Sequence, residues 1–212
     1  QTDEFVIVGS QILLKYNGNK HRVEIPFGIA AISDAFEENI SIESVEIPES
    51  VTSIGQYAFK DAVNLSSITI PDKVTTIGTG AFQNCRRISS LQLPESVKTV
   101  GADAFNGCEW LTEMIFPSGV SQLSARVLRN CTSLIDVHIP EGVIKIDKTA
   151  FTGSDNINIQ VAPGSEAEEL LTALEIPYTY YLLQKDGFVY NRDSESVQIV
   201  KYVGALYDVE IP

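Results

Sequence analysis

Residues 94–117, PESVKTVGADAFNGCEWLTEMIFP, decide the fold, because the same apolar frame with altered polar residues recurs along most of the chain. Pro48, Pro71, Pro94, Pro117 and Pro140 stand 23 residues apart, and Pro26 precedes Pro48 by 22. The period also runs through Phe36, Phe59, Phe82, Phe105, Leu128 and Phe151, and through Ala35, Ala58, Ala81, Ala104, Val127 and Ala150. A third column is Ile54, Ile77, Val100, Leu123 and Ile146. A period of roughly 20 to 30 residues marks a solenoid, in which one coil cannot hide its apolar side alone and stacking on neighbours completes the core. The chain holds five to six such coils.

Before each proline the pattern alternates as a strand does, with successive side chains on opposite faces. The runs are Ile42/Val45/Ile47, Leu65/Ile68/Ile70, Ile88/Leu91/Leu93, Leu111/Met114/Phe116 and Leu134/Val137/Ile139. Parallel strands from successive coils are expected to form one face of the slab, and a second short apolar stretch such as Val74 to Gly78 to cross the far side. Asp61, Asn84, Gly107, Asn130 and Gly153 share a column of residues that tolerate a left-handed backbone, which predicts a sharp bend there. The next column, Ala62, Cys85, Cys108, Cys131 and Ser154, is uniformly small. Its three cysteines stand one coil apart, about 5 Å between neighbouring Cα atoms. Side chains in a stacked column run parallel rather than converging, so buried free thiols are expected rather than a disulfide.

The frame SIGxxAFxxCxxLxxIxIP resembles the BspA-like leucine-rich repeat, the bacterial type with a 23-residue coil, over residues 23 to about 163. Val127-Leu128 departs from it once, and the coil after Pro26 is one residue short. The resemblance implies a β-rich, right-handed leucine-rich-repeat solenoid, exported by bacteria, extracellular or on the cell surface, acting as an adhesin or interaction module.

An open stack needs caps at its ends. Residues 1–22 read as an N-terminal β-hairpin, 23–163 as the repeats, 164–177 as a capping helix and 178–212 as an extension of short antiparallel strands. Ser165 and Glu168 form a capping box before a helix of roughly ten residues with Ala167, Leu170, Leu171 and Leu174 on one side. Lys201-Tyr202 precedes Pro212 by the same interval that Lys15-Tyr16 precedes Pro26, and Val-Glu-Ile-Pro closes both stretches. This repetition is read as the threshold of a second repeat array; the other reading is that the last strands only cap.

The formal charge of −13 argues against nucleic acid, whose binding rests on cationic neutralisation of phosphates, and against anionic membranes. No segment approaches the roughly 20 apolar residues that span a bilayer. His21 and His138 belong to no metal motif, no cofactor is expected, and no nucleophile elbow or phosphate loop is present. A catalytic group assembled from Glu113, Asp136 and His138 is not expected, since nothing in the sequence excludes water or supplies a nucleophile.

The expected function is therefore non-catalytic binding of a protein or glycan ligand by a monomeric module. The alternative is an accessory targeting or spacer module of a larger secreted or cell-surface enzyme. The exposed strand columns are Ser44, Ser67, Ser90, Glu113, Asp136 and Glu46, Thr69, Gln92, Ile115, His138. Their C-terminal end, with Glu113, Ile115, Asp136 and His138, is the candidate contact face, weighed against an ordinary solvated sheet. Trp110, the only tryptophan, precedes a strand and is expected at the surface with Arg87 one coil away, placed for a cation–π contact. It reads either as a contact residue or as a local lid over the turn.

Overall fold

The computed structural model describes residues 4–9, 11–181, 183–185, 188–192 and 197–202. Each coil crosses the molecule twice. The first crossing gives β3 (Arg22–Glu24), β5 (Ser44–Glu46), β7 (Ser67–Ile68), β10 (Glu113–Ile115), β12 (Asp136–His138) and β14 (Asn158–Val161). The second gives β4 (Ala31–Ile32), β6 (Ser53–Ile54), β8 (Thr76–Ile77), β9 (Thr99–Val100), β11 (Gln122–Leu123) and β13 (Lys145–Ile146). Neighbouring coils pair in parallel and in register, Val23 beside Val45 beside Ile68 on the first side, and Ile32 beside Ile54 beside Ile77 beside Val100 on the second. Parallel ladders thus lie on both sides, not on one. A β-branched apolar residue after Ser or Thr suffices to set an inward and an outward position even in a two-residue strand.

The first ladder is interrupted. One sheet runs β3-β5-β7 and another begins at β10, with no strand at Ser90–Gln92, where the sequence pattern predicts one. The interrupted run is Ser89-Ser90-Leu91-Gln92-Leu93, which lacks the β-branched and aromatic residues that favour a pleated surface. Leu91 still packs inward, 6% exposed, so the hydrophobic column survives the loss of the ladder.

Stacking fills the interior. The rings of Phe36, Phe59, Phe82 and Phe105 lie parallel, with centroids 5.0, 5.3 and 5.7 Å apart and planes within 8° of each other. Leu128 ends this row, and Tyr16 heads it at 5.4 Å from Phe36. Below each ring the turn column takes the left-handed conformation, with φ from +56° to +78° at Asp61, Asn84, Gly107, Asn130 and Gly153, and +58° at Glu38. A second left-handed column, Asp34, Tyr57, Gly80, Asp103 and Arg126, was not legible, because tyrosine and arginine carry no signal for that conformation. Asp103 and Arg126 in this column are joined by a bidentate ion pair, Nε to Oδ1 at 2.9 Å and Nη2 to Oδ2 at 2.6 Å.

The second ladder also changes along its length. Gly55, Gly78 and Gly101 follow their strands, and each N–H donates to the preceding coil, to Ile32, Ile54 and Ile77 carbonyls at 2.6, 2.7 and 2.9 Å. At the next coil the column becomes Ser124, whose hydroxyl donates to the Val100 carbonyl at 2.8 Å, and β9 and β11 do not pair. The side chain of Ser124 thus bridges to the preceding coil where glycine uses its backbone N–H, although a Cβ alone does not prevent the rung, since Ser33 and Asp147 in the same column donate their N–H to the Leu13 and Leu123 carbonyls, both at 2.9 Å.

The ends are closed as the solenoid requires. β1 (Phe5–Val8) pairs antiparallel with β2 (Ile12–Tyr16), and β2 lies parallel against β4, which extends the second ladder to the front. At the back, α1 (Glu166–Ala173) packs over β13, with Ala167 and Leu171 buried. The helix is two residues shorter than the sequence pattern suggested, because Leu174 already caps it and Glu175 turns left-handed at φ +57°. Its Glu168 N–H donates to Ser165 Oγ at 3.3 Å, and the Glu168 carboxylate accepts from Gly164 N–H at 2.6 Å and Tyr180 OH at 2.7 Å. β15 (Thr179–Tyr180) adds to β14, and β16 (Leu183–Lys185), β17 (Phe188–Arg192) and β18 (Val197–Tyr202) form an antiparallel sheet. The closing Val209-Glu210-Ile211-Pro212 of the sequence reading lies outside the described residues.

Candidate binding surface

The first-side strands carry the candidate residues on outward positions of a pleated surface. Glu113 and Ile115 of β10 lie in register with Asp136 and His138 of β12, so these four are brought together, while Met114 and Val137 between them point into the core. Ile115 is 51% exposed, a large apolar side chain left in water on an otherwise polar face. Asp136 is not a free acid. Its Oδ1 accepts from Asn158 Nδ2 at 2.9 Å and Gln160 Nε2 at 3.2 Å, and Thr179 Oγ1 donates in turn to Asn158 Oδ1 at 2.8 Å. This chain of side chains spans β12, β14 and β15 and holds the C-terminal end of the face in one arrangement.

Asn158, Gln160 and Thr179 were missed from the sequence. The signal was present but shifted: Asn158 stands 22 residues after Asp136, and Thr179 a further 21, so a strict 23-residue register passes them by. Towards the middle of the face, shallow hollows flank the unpaired segment, one lined by Ile68, Ile70 and Leu93, the other by Leu91, Thr112 and Ile115.

Trp110 and Arg87 form a second group, on the turn that leads into the strands. The indole is 55% exposed, and the Arg87 guanidinium lies over it at 6.0 Å from the ring centroid. Arg86 Nε faces Glu109 Oε1 at 3.4 Å alongside. The Trp110 N–H donates to the Arg86 carbonyl at 3.1 Å, which fixes the backbone while leaving the indole outside. Ile135, 57% exposed, adds an outward apolar residue on the next coil that the sequence reading passed over.

The chemistry-bearing cysteines face the other way. Cys85, Cys108 and Cys131 are free and buried, each thiol donating to the carbonyl of the phenylalanine one coil back, Phe59, Phe82 and Phe105, at 3.0, 3.3 and 3.2 Å. Ser154 makes the same bond to Leu128 at 2.7 Å, which explains why the column admits a small hydrogen-bond donor. Burial pushes all three thiols up, Cys131 to about 12, away from the nucleophilic thiolate. A thiol reagent is therefore expected to label none of the three in the native protein and all three in denaturant. Rapid labelling of any of them in the folded state would contradict the burial. Among the described residues no group of three or more His, Cys, Asp or Glu is placed to hold a metal ion, and no helix is long and apolar enough to cross a membrane.

Coils of 23 residues, stacked in parallel around a row of phenylalanine rings, define a leucine-rich-repeat solenoid. The chain belongs to the BspA type leucine-rich repeat family, whose model matches residues 31–158 in 6 copies. Among solved structures it is similar to a Treponema pallidum leucine-rich repeat protein, at 21% identity over 85% of this chain and 97% of that one, with a TM-score of 0.64. A leucine-rich repeat protein from Bacteroides ovatus gives 27% identity over 74% of this chain and 44% of its own, with a TM-score of 0.64. A leucine-rich cell surface protein from Faecalibacterium prausnitzii gives 22% identity over 94% and 59%, with a TM-score of 0.58. The chain thus spans less than two thirds of the latter two proteins. No curated protein matches it.

Proposed function

We propose that this solenoid is a non-catalytic, extracellular binding module of a bacterial surface, which contacts a protein or glycan ligand in adhesion or host interaction. The observation that carries the reading is the exposed Trp110, held on Arg87 at the margin of the strand face. Tryptophan and arginine are the residue types most enriched at energetic hot spots, and the pair stands on a rigid stack that needs no ordering on binding. Ile115 and His138 supply a second contact on the same side of the array, and the Asp136 network keeps that face fixed. Membership in a family of repeat modules and similarity to a protein of the bacterial cell surface support the location.

The test is binding to a panel of matrix proteins and glycans, followed by Trp110→Ala, Ile115→Ala and His138→Ala on any ligand found. Trp110→Ala is expected to weaken binding at least about tenfold, the loss of a residue worth some 1.4 kcal/mol or more, with melting unchanged. A large fall in melting temperature would instead make the indole a lid over the turn. Binding unaffected by all three substitutions would remove this face from the proposal.

A further inference from the structure

The C-terminal strands repeat the N-terminal cap. In the first hairpin Phe5 lies opposite Tyr16 and Val6 opposite Lys15, the register shifts between Val6 and Ile7, and then Ile7 faces Leu13 and Val8 faces Ile12. In the second, Phe188 lies opposite Tyr202 and Val189 opposite Lys201, the register shifts between Val189 and Tyr190, and then Tyr190 faces Ile199 and Asn191 faces Gln198. The same residue types meet at the first two pairs, and the irregularity falls at the same step. A bulge is a local feature that sets the twist of a strand pair, so hairpins in general do not share its position.

Differences between the copies follow the burial of the first. Leu13 and Tyr16, 0% and 4% exposed, have Ile199 and Tyr202 as counterparts, whereas the exposed Val8 and Ile12 correspond to polar Asn191 and Gln198. A Cβ at Gly18 would collide with the Tyr16 ring, and Gly204 stands at the same distance beyond Tyr202. In the first copy β2 has a function beyond the hairpin: Ile12 and Leu13 pair with Ala31 and Ile32 of the first coil, and the Leu13 carbonyl accepts from Ser33 N–H at 2.9 Å. Among the described residues β18 is the edge of its sheet, with Gln198 and Ile199 at the corresponding positions.

We infer that β17 and β18 form a second capping hairpin, whose β18 edge receives a parallel coil of BspA-type repeat as β2 receives β4. The occupant is set by the duplication: an edge with the register of β2 fits a short Ala-Ile or Ser-Ile strand of the kind that β4 and β6 supply.

The experiment moves the second hairpin to the front of the array. Residues 5–16 are replaced by residues 188–202 in the full chain, and deletion of residues 4–16 serves as the uncapped reference. The swapped chain is expected to melt within about 4 °C of the parent, and the uncapped chain more than about 10 °C below it. Should the greater number of residues between Asn191 and Gln198 than between Val8 and Ile12 prevent folding, a second variant decides. It keeps the parent turn and carries Ile7→Tyr, Val8→Asn, Ile12→Gln, Leu13→Ile and Leu14→Val. Melting of that variant with the parent, with hydrogen-exchange protection retained at Ser33, supports the inference, and melting with the uncapped reference overturns it. Self-association of the parent chain that Ile199→Pro abolishes would assign the edge to a second copy of the chain and overturn it as well.

Discussion

Replacing Phe82 by alanine is expected to destabilise the protein by about 3 to 5 kcal/mol, the cost of deleting a fully buried ring whose surroundings cannot collapse. Phe82 is 0% exposed and sits between Phe59 and Phe105 at 5.3 and 5.7 Å, its plane within 8° of each. The neighbours cannot move into the space, because their own coils are tied by backbone bonds on both sides: Phe59 N–H to the Ala81 carbonyl and Phe82 N–H to the Ala104 carbonyl, both at 2.8 Å. In a linear array stability is a sum of coil and interface terms, and a central ring belongs to two interfaces at once. Denaturant unfolding of Phe82→Ala beside Phe82→Leu measures the effect. The leucine variant should retain most of the stability, since Leu128 fills the same column naturally. A loss below about 1 kcal/mol for the alanine variant would show that the ring row is not what holds the coils together.

Gly78→Ala is the second large effect, and it arises from too little space rather than too much. A Cβ there would lie 2.5 Å from the Gly55 carbonyl carbon and 2.6 Å from Gln56 N, all backbone of the preceding coil. Backbone cannot swing aside as a flexible side chain does, and the Gly78 N–H is bonded to the Ile54 carbonyl at 2.7 Å across the same contact. The coils must separate, at a cost of about 3 kcal/mol or more, at the upper end of overpacking penalties. Gly9→Ala is the control, with a left-handed φ of +60° but open space around the new methyl, so it pays only the conformational term of about 1 kcal/mol. Thermal melting of the two variants separates the causes. Equal, small losses would mean that the coils are not in backbone contact at the glycine column.

The same column shows why some of this structure was hidden in the sequence. Gly55, Gly78 and Gly101 could be seen to recur, but their replacement by Ser124 reads as a neutral change until the serine hydroxyl is found bonded to the Val100 carbonyl in place of a backbone rung. The candidate surface was legible to a similar extent. Columns named Glu113, Asp136, Ile115 and His138, and stacking put them in register. Asp136 could not be seen to be occupied, because its partners Asn158 and Gln160 lie 22 and 24 residues on and belong to a coil shortened before the capping helix.

What the sequence determined by itself is the set of columns whose residue type repeats. Apolar residues at a 23-residue period must be stacked to be hidden from water, so the solenoid, the inward phenylalanines, the small cysteine column and the left-handed turn at Asp61, Asn84 and Asn130 follow from spacing and residue type. What the tertiary structure alone decided is how closely each coil approaches the next: the loss of rungs at Ser90–Gln92, the bridge at Ser124, the left-handed Tyr57 and Arg126, and Tyr16 at the head of the aromatic row. The physical reason is range. Periodicity states which residues share a column, whereas the fit between columns depends on atoms a whole coil apart.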